Sequence, residues 1–224
     1  MTKVVFALYP GVTHLDFTGP HQFLARLPNA RVVCASPDGQ PIEADGLTFA
    51  GLARLSEVEG CDVLCVPGGH GTTQMIEDAA FLAEIRRLAA GAKYVTSVCT
   101  GSLILAAAGL LRGKRAACHW AWRDQLALFG AIPDPARVVR DGAVFTGGGV
   151  TAGIDFALVL FAEIAGEDAA RAVQLGLEYA PAPPFDAGRP ETAPREVLER
   201  IQGFYEKAMP ERRAAAERAA AALA

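Results

Sequence analysis

The feature that most limits the fold of this chain is an alternation. Short, almost unbroken apolar runs recur, and each gives way to a helical pattern. Val4-Val5-Phe6-Ala7-Leu8-Tyr9, Arg31-Val32-Val33-Cys34-Ala35, Val63-Leu64-Cys65-Val66 and Tyr94-Val95-Thr96-Ser97-Val98 read as strands. Leu15 to Leu27, Phe81 to Ala90, Leu103 to Leu111 and Gly153 to Ile164 carry helical patterns. Strands that are apolar on both faces are buried on both faces. The order therefore predicts a mostly parallel sheet covered by helices on each side. Residues 40–50 around Gly46 read as a hairpin or edge excursion. Arg115 to Cys118 reads as a short strand, and Val138-Val139 with Val144-Phe145 across Asp141-Gly142 reads as a small hairpin or a pair of edge strands.

A chain of 224 residues, 51% hydrophobic and 21% charged, has the mix of an ordinary globular domain. The formal net charge of -4 gives no nucleic-acid footprint; the nearest basic cluster, Arg212-Arg213, lies among acids. Five cysteines (Cys34, Cys61, Cys65, Cys99 and Cys118) form no dense framework, and their odd number fits a reducing compartment better than a disulfide scaffold. Cys61 and Cys65 have neither zinc-knuckle nor redox spacing and read as part of one strand. The run Val4 to Tyr9 is too short for a signal peptide, and Leu103 to Leu111 too short for a membrane span. The expectation is a cytoplasmic protein without membrane or nucleic-acid partners. Near the C-terminus, Ala182-Pro183-Pro184-Phe185 reads as an extended arm. Residues 194–224 read as helical, with Leu198, Ile201, Phe204 and Tyr205 at helical spacing and, after Met209-Pro210, an Ala-rich helix with little to bury.

Chemistry concentrates where the period changes within one residue. Up to Val98 the chain is β-branched and strand-like. Cys99-Thr100-Gly101-Ser102 follows, and then a helix-forming apolar run. A nucleophile at such a junction projects from the end of the sheet. The helix N-terminus is expected to lower the Cys99 pKa and favour the thiolate, and the Thr100 amide is placed to donate to developing charge. The alternative is a buried structural cysteine.

Asp16 sits among apolar residues in Leu15-Asp16-Phe17-Thr18-Gly19-Pro20, where a carboxylate needs a partner. It reads either as a helix N-cap or as a proton carrier for Cys99. Pro67-Gly68-Gly69-His70-Gly71 ends the third strand, and Gly147-Gly148-Gly149 precedes a helix. Neither has the spacing of a nucleotide-binding loop. His119, at the end of the Arg115 to Cys118 run, is either a neighbour of the thiol or a structural residue. No two histidines have helical metal-ligand spacing, so neither metal nor cofactor is expected.

These motifs resemble the ThiJ/PfpI superfamily over nearly the whole chain. The carriers are Leu15 to Pro20, Val66 to Gly69, Tyr94 to Ser102, Gly113-Lys114-Arg115, His119-Trp120, Thr146 to Gly149, Thr151 to Asp155 and Glu178 to Phe185. Aspartate at 16, in place of the superfamily's more usual glutamate, and threonine directly after the cysteine point within it to the isocyanide hydratase branch. The resemblance implies a flavodoxin-like, class I glutamine-amidotransferase-like α/β fold, with a catalytic domain over 1–190 and a helical extension over 191–224. It implies Cys99 as nucleophile, Asp16 as general acid/base and an assisting Thr100 hydroxyl. The amides of Gly69 and Thr100 would be oxyanion donors. Gly148 and Val150 would precede a helix that shifts when the cysteine is modified, with His119 in the outer part of the site. The expected product is an N-substituted formamide, made from a small uncharged isocyanide by a cofactor-free homodimer through a thioimidate on Cys99. Competing readings are a glyoxalase or deglycase, a cysteine redox sensor, and a non-catalytic domain of the kind found in transcription regulators. Peptidase-type members carry histidine after the nucleophile, and this chain has Thr100 there.

Overall fold

The computed structural model of the protein describes residues 1–223. In chain order the strands are β1 (Thr2–Ala7), β2 (Ala30–Ser36), β3 (Ile42–Ala44), β4 (Leu47–Phe49), β5 (Ala53–Arg54), β6 (Val63–Val66), β7 (Tyr94–Val98), β8 (Arg115–Ala116), β9 (Ile132–Pro133), β10 (Val138–Asp141) and β11 (Val144–Gly147). The helices are α1 (His14–Leu24), α2 (Thr72–Met75), α3 (Ala79–Gly91), α4 (Gly101–Ala107), α5 (Ala152–Ala165), α6 (Glu167–Gly176), α7 (Arg195–Glu206) and α8 (Met209–Ala221).

Seven strands form one sheet in the order β10-β11-β7-β6-β1-β2-β5, parallel except for the edge pair β10 and β11. The alternation of strands and helices predicts a mostly parallel sheet, and the order is the flavodoxin-like one that the family resemblance implies. The strands entirely apolar in sequence are buried along their whole length, as β6 is, because helices cover both faces of the sheet. On one face α1 packs on α5, and α5 on α6. On the other, α4 contacts β6, β7, α2, α3 and α8.

Two close approaches place α5. A Cβ on Gly19 of α1 would lie 3.2 Å from Ile154 Cγ1, and one on Gly153 of α5 would lie 3.1 Å from Pro20 Cδ and 3.4 Å from Val98. Small residues here let the start of α5 sit against the end of β7. Strand order reverses at β1, so the crevice beyond the carboxyl ends of β1 and β6 is the switch point where such folds bind ligands.

Several boundaries differ from the sequence reading. The strand expected across Cys61 to Cys65 begins at Val63, and Cys61 lies half-buried ahead of it. The first helix ends at Leu24, while Leu27 still enters the core from the following turn. The segment 40–50 is a hairpin, but β3 and β4 form a separate two-stranded sheet. The helix after Met209-Pro210, expected to have little to bury, instead buries Ala215, Ala216 and Ala219 against α2, α4 and the 3-10 segment Arg123–Phe129. Alanine gives almost no hydropathy contrast, yet its small side chain permits close packing. Among the described residues, no helix is long and apolar enough to cross a membrane.

Candidate active site

The site is assembled from three loops at the carboxyl ends of β1, β6 and β7. Between β7 and α4 the chain turns through Cys99 and Thr100 alone, and Cys99 adopts φ 58°. That left-handed conformation is rare for a residue with a side chain and is held by its surroundings. The Cys99 N–H donates to the carbonyls of Gly148 at 2.8 Å and Gly147 at 3.0 Å. Below the turn Ser102 Oγ donates to the Ala117 carbonyl at 2.6 Å, which leaves Ser97 Oγ to donate to Ser102 Oγ at 2.8 Å. A Cβ on Gly101 would lie 2.1 Å from the Val66 carbonyl oxygen, so α4 starts in contact with the end of β6.

Asp16 is fully buried on the first turn of α1, and it does not cap that helix. The N-cap is Thr13, without a side-chain bond, and Asp16 Oδ2 instead accepts from the Gly68 N–H at 2.9 Å. Oδ1 is buried with no hydrogen-bond partner. Burial raises the Asp16 pKa from 3.8 to about 7, against the opposing pull of the Gly68 amide and the Cys99 thiol beside it. Gly68 is what permits this contact. A Cβ there would lie 2.5 Å from the Thr100 nitrogen and 3.0 Å from Asp16 Oδ2.

Cys99 is 5% exposed. Its thiol pKa is raised, first by burial, then by the negative charge of Asp16 and by Cys118. The Thr100 amide lowers it. The sequence reading expected a depressed thiol. The correction has a physical reason: the start of α4 contributes one amide, while desolvation acts on the whole charge.

Thr100 Oγ1 accepts from the Gly69 N–H at 3.0 Å and lies 2.8 Å from Thr72 Oγ1. Thr72 Oγ1 lies 3.0 Å from Tyr9 Oη, which donates to the Pro67 carbonyl at 2.8 Å. A carbonyl only accepts, so the chain has one direction: Gly69 N–H to Thr100, Thr100 to Thr72, Thr72 to Tyr9, Tyr9 to Pro67. The Thr100 hydroxyl proton is thereby directed to Thr72, with the Gly69 carbonyl a longer second acceptor at 3.4 Å, and the Gly69 amide, expected as an oxyanion donor, donates to Thr100 Oγ1. The Thr100 amide interacts with the thiol.

A cavity of about 100 Å³ opens on Cys99 and Thr100, lined also by Gly69, His119, Val150, Trp122, Tyr205 and Arg212. His119 is held neutral. Burial and the nearby Arg212 lower its pKa to about 4, and its ring sits among Trp120, Trp122 and Tyr205. It forms a wall of the cavity. Gly148 acts through its carbonyl bond to Cys99, and Val150 lines the cavity just before α5. Every site residue expected from the sequence thus lies in one place. Among the described residues no group of three His, Cys, Asp or Glu side chains is placed to hold a metal ion.

The DJ-1/PfpI family model matches residues 2–163, which include the whole cysteine turn, Asp16 and the Gly68-Gly69 loop. The chain belongs to the DJ-1/PfpI family. This family member is 51% identical over 222 residues to the isonitrile hydratase of Pseudomonas putida, covering 99% of this chain and 97% of that protein. It superimposes on a ThiJ/PfpI family protein from Pseudomonas syringae with a TM-score of 0.93 at 42% identity, covering 96% of this chain and 90% of that one. Against Drosophila melanogaster DJ-1beta the TM-score is 0.72 at 25% identity, covering 80% of this chain and 99% of the other.

Residues beyond the DJ-1/PfpI match also reach the site. Tyr205 on α7 and Arg212 on α8 close one side of the cavity, and the sequence reading assigned neither to it. Tyr205 was visible only as one residue of a helical spacing and Arg212 only as half of a basic pair. Trp122, two positions after Trp120, was the available aromatic signal.

Proposed function

We propose that the protein is an isocyanide hydratase, converting R–N≡C and water to an N-substituted formamide by covalent catalysis at Cys99. The observation that carries this reading is the buried Asp16 carboxyl beside Cys99, which itself lines a small cavity. The Asp16 pKa of about 7 and the raised thiol leave the pair with one proton over the neutral and mildly alkaline range. An uncharged electrophile that needs one nucleophile and one proton suits that inventory. The 51% identity to an isonitrile hydratase over almost the full length supports it.

In the first half-reaction the thiol proton passes to Asp16 as Cys99 Sγ bonds to the terminal carbon. Asp16 then delivers that proton to the same carbon, giving the thioimidate R–N=CH–S–Cys99. In the second, Asp16 accepts a proton from water as its oxygen adds to the carbon, and hands that same proton to the nitrogen. The C–S bond of the R–NH–CH(OH)–S adduct breaks, the sulfur regains a proton, and R–NH–CHO leaves. Carbon keeps the same formal balance of electrons throughout, so no redox partner enters. Thr100 contributes its amide to the sulfur and fixes the Gly69 loop. The same reading includes a homodimer; exposed Leu175, Phe185 and Phe204 are apolar surface for such contacts.

A redox-sensor role for Cys99 has less support, because the residue is only 5% exposed and an oxidant has little access to its sulfur. The test is formamide formation from an aryl isocyanide by wild type, Cys99→Ala and Asp16→Asn, with mass spectrometry of trapped adduct on Cys99. Turnover in wild type and its loss in both variants is expected. Undiminished activity of Cys99→Ala excludes the covalent route.

A further inference from the structure

We propose that Arg212, carried into the site by the C-terminal helix, draws the single negative charge of the Cys99–Asp16 pair onto the sulfur and so prepares the nucleophile. This rests on Cys99 being the nucleophile and is independent of which electrophile it meets.

Helix α8 holds three arginines. Arg213 pairs with Glu217 at 2.9 Å and Arg218 with Glu77 at 2.7 Å. Arg212 turns the other way. Its Nη2 lies 2.9 Å from His70 Nδ1 and its guanidinium carbon 4.5 Å from the centroid of the Trp122 ring. Together they hold a half-buried cation at the wall of the Cys99 cavity, where it is the only lysine or arginine in the lining among the described residues. No carboxylate of the described residues lies within ion-pair distance of it. A partly desolvated cation without a counter-charge is costly. Cys99 lines the same cavity, so a negative charge on its sulfur would face the guanidinium and oppose the burial that lowers the Arg212 pKa.

The pair has one negative charge and two places for it. On the carboxyl side Gly68 N–H donates to Oδ2, and Oδ1 has no partner. On the sulfur side lie the Thr100 amide and Arg212. Moving the proton from Sγ to the orphaned Oδ1 satisfies that oxygen and puts the charge opposite the guanidinium. One S–H bond breaks, one O–H bond forms, and net charge is unchanged. The other groups facing the sulfur oppose or ignore this shift. Tyr9 just beyond β1, Tyr205 of α7 and Cys118 beyond β8 are all raised and stay neutral, and His119 is lowered to about 4. Arg212 is thus a positioning residue that acts through Cys99.

The decisive experiment follows iodoacetamide alkylation of Cys99 by peptide mass spectrometry across pH, in wild type, Arg212→Met, Arg212→Gln and Arg212→Lys. Unfolding curves establish that each variant is folded. Arg212→Met and Arg212→Gln are expected to alkylate about tenfold more slowly near neutral pH, with the profile moved up by about one pH unit, while Arg212→Lys retains most of the rate. With a neutral aryl isocyanide the neutral variants should lose kcat while KM holds. A folded Met or Gln variant with the wild-type alkylation profile overturns the proposal, as does a loss confined to KM. Because alkylation needs no isocyanide, a wild type inert to isocyanides that still shows the Arg212-dependent profile would sink the hydratase reading and leave this one standing.

Discussion

Asp16, on the first turn of α1, and Cys99, just beyond the end of β7, are buried side by side and each shifts the other's ionisation on top of the effect of burial. The carboxylate raises the thiol pKa, and the thiol steadies the carboxylate. Neither group would titrate this way alone at the surface. Their contact exists because β1, β6 and β7 end side by side and because Gly68 leaves room between them.

The pH dependence of turnover follows directly. Below about pH 7 Asp16 takes up a second proton and can no longer accept the one on the thiol. The rate kcat/KM should rise with pH through an ionisation near 7 and then level. Asp16→Asn should lose about 10²–10⁴ in rate and lose that limb. An unchanged limb in the Asn variant would assign the ionisation to another group.

Stability should move in the opposite direction. The folded pKa of Asp16 lies above its value in the unfolded chain, so the folded state binds the extra proton between about pH 4 and 7. The stabilising effect of that protonated carboxyl is present below the unfolded pKa and disappears as pH rises through about 7. A shift from 3.8 to about 7 corresponds to an upper bound of ~4 kcal/mol. Urea unfolding should find Asp16→Asn more stable than wild type at pH about 8, with the advantage vanishing towards pH about 4. Equal stabilities at both values would contradict the buried-charge account.

Gly68→Ala should separate the catalytic groups. Its Cβ would lie 2.5 Å from the Thr100 nitrogen and 2.6 Å from Thr100 Oγ1. Overpacking of this kind costs about 1–3 kcal/mol. The larger effect should be on activity, about a hundredfold, since the Asp16 contact and the Thr100 amide are displaced together. Paired thermal unfolding and steady-state kinetics measure the two losses.

Ala216→Leu tests whether α8 completes the site. Ala216 is fully buried on α8, a helix packed on α2 and α4. The added bulk should destabilise by about 1–3 kcal/mol and lift Arg212 from the cavity. The variant should show a lowered Tm and an Arg212→Gln-like slowing of Cys99 alkylation. A lowered Tm with normal alkylation would limit α8 to a structural role.

How much of this was legible beforehand can be judged residue by residue. The unbroken apolar strands required a covered parallel sheet, because period and hydropathy are local properties of the chain. Cys99 was legible because the change from strand to helix occurs at that residue, and Asp16 because a carboxylate among apolar neighbours needs a reason. By itself the sequence determined the α/β class and the candidate nucleophile and proton carrier. Only the tertiary structure decided that Asp16 binds Gly68 rather than capping its own helix, that the thiol is raised rather than lowered, and that Tyr205 and Arg212 close the cavity. Those outcomes depend on desolvation and on contacts between segments far apart in the chain, and no local pattern of residues encodes either.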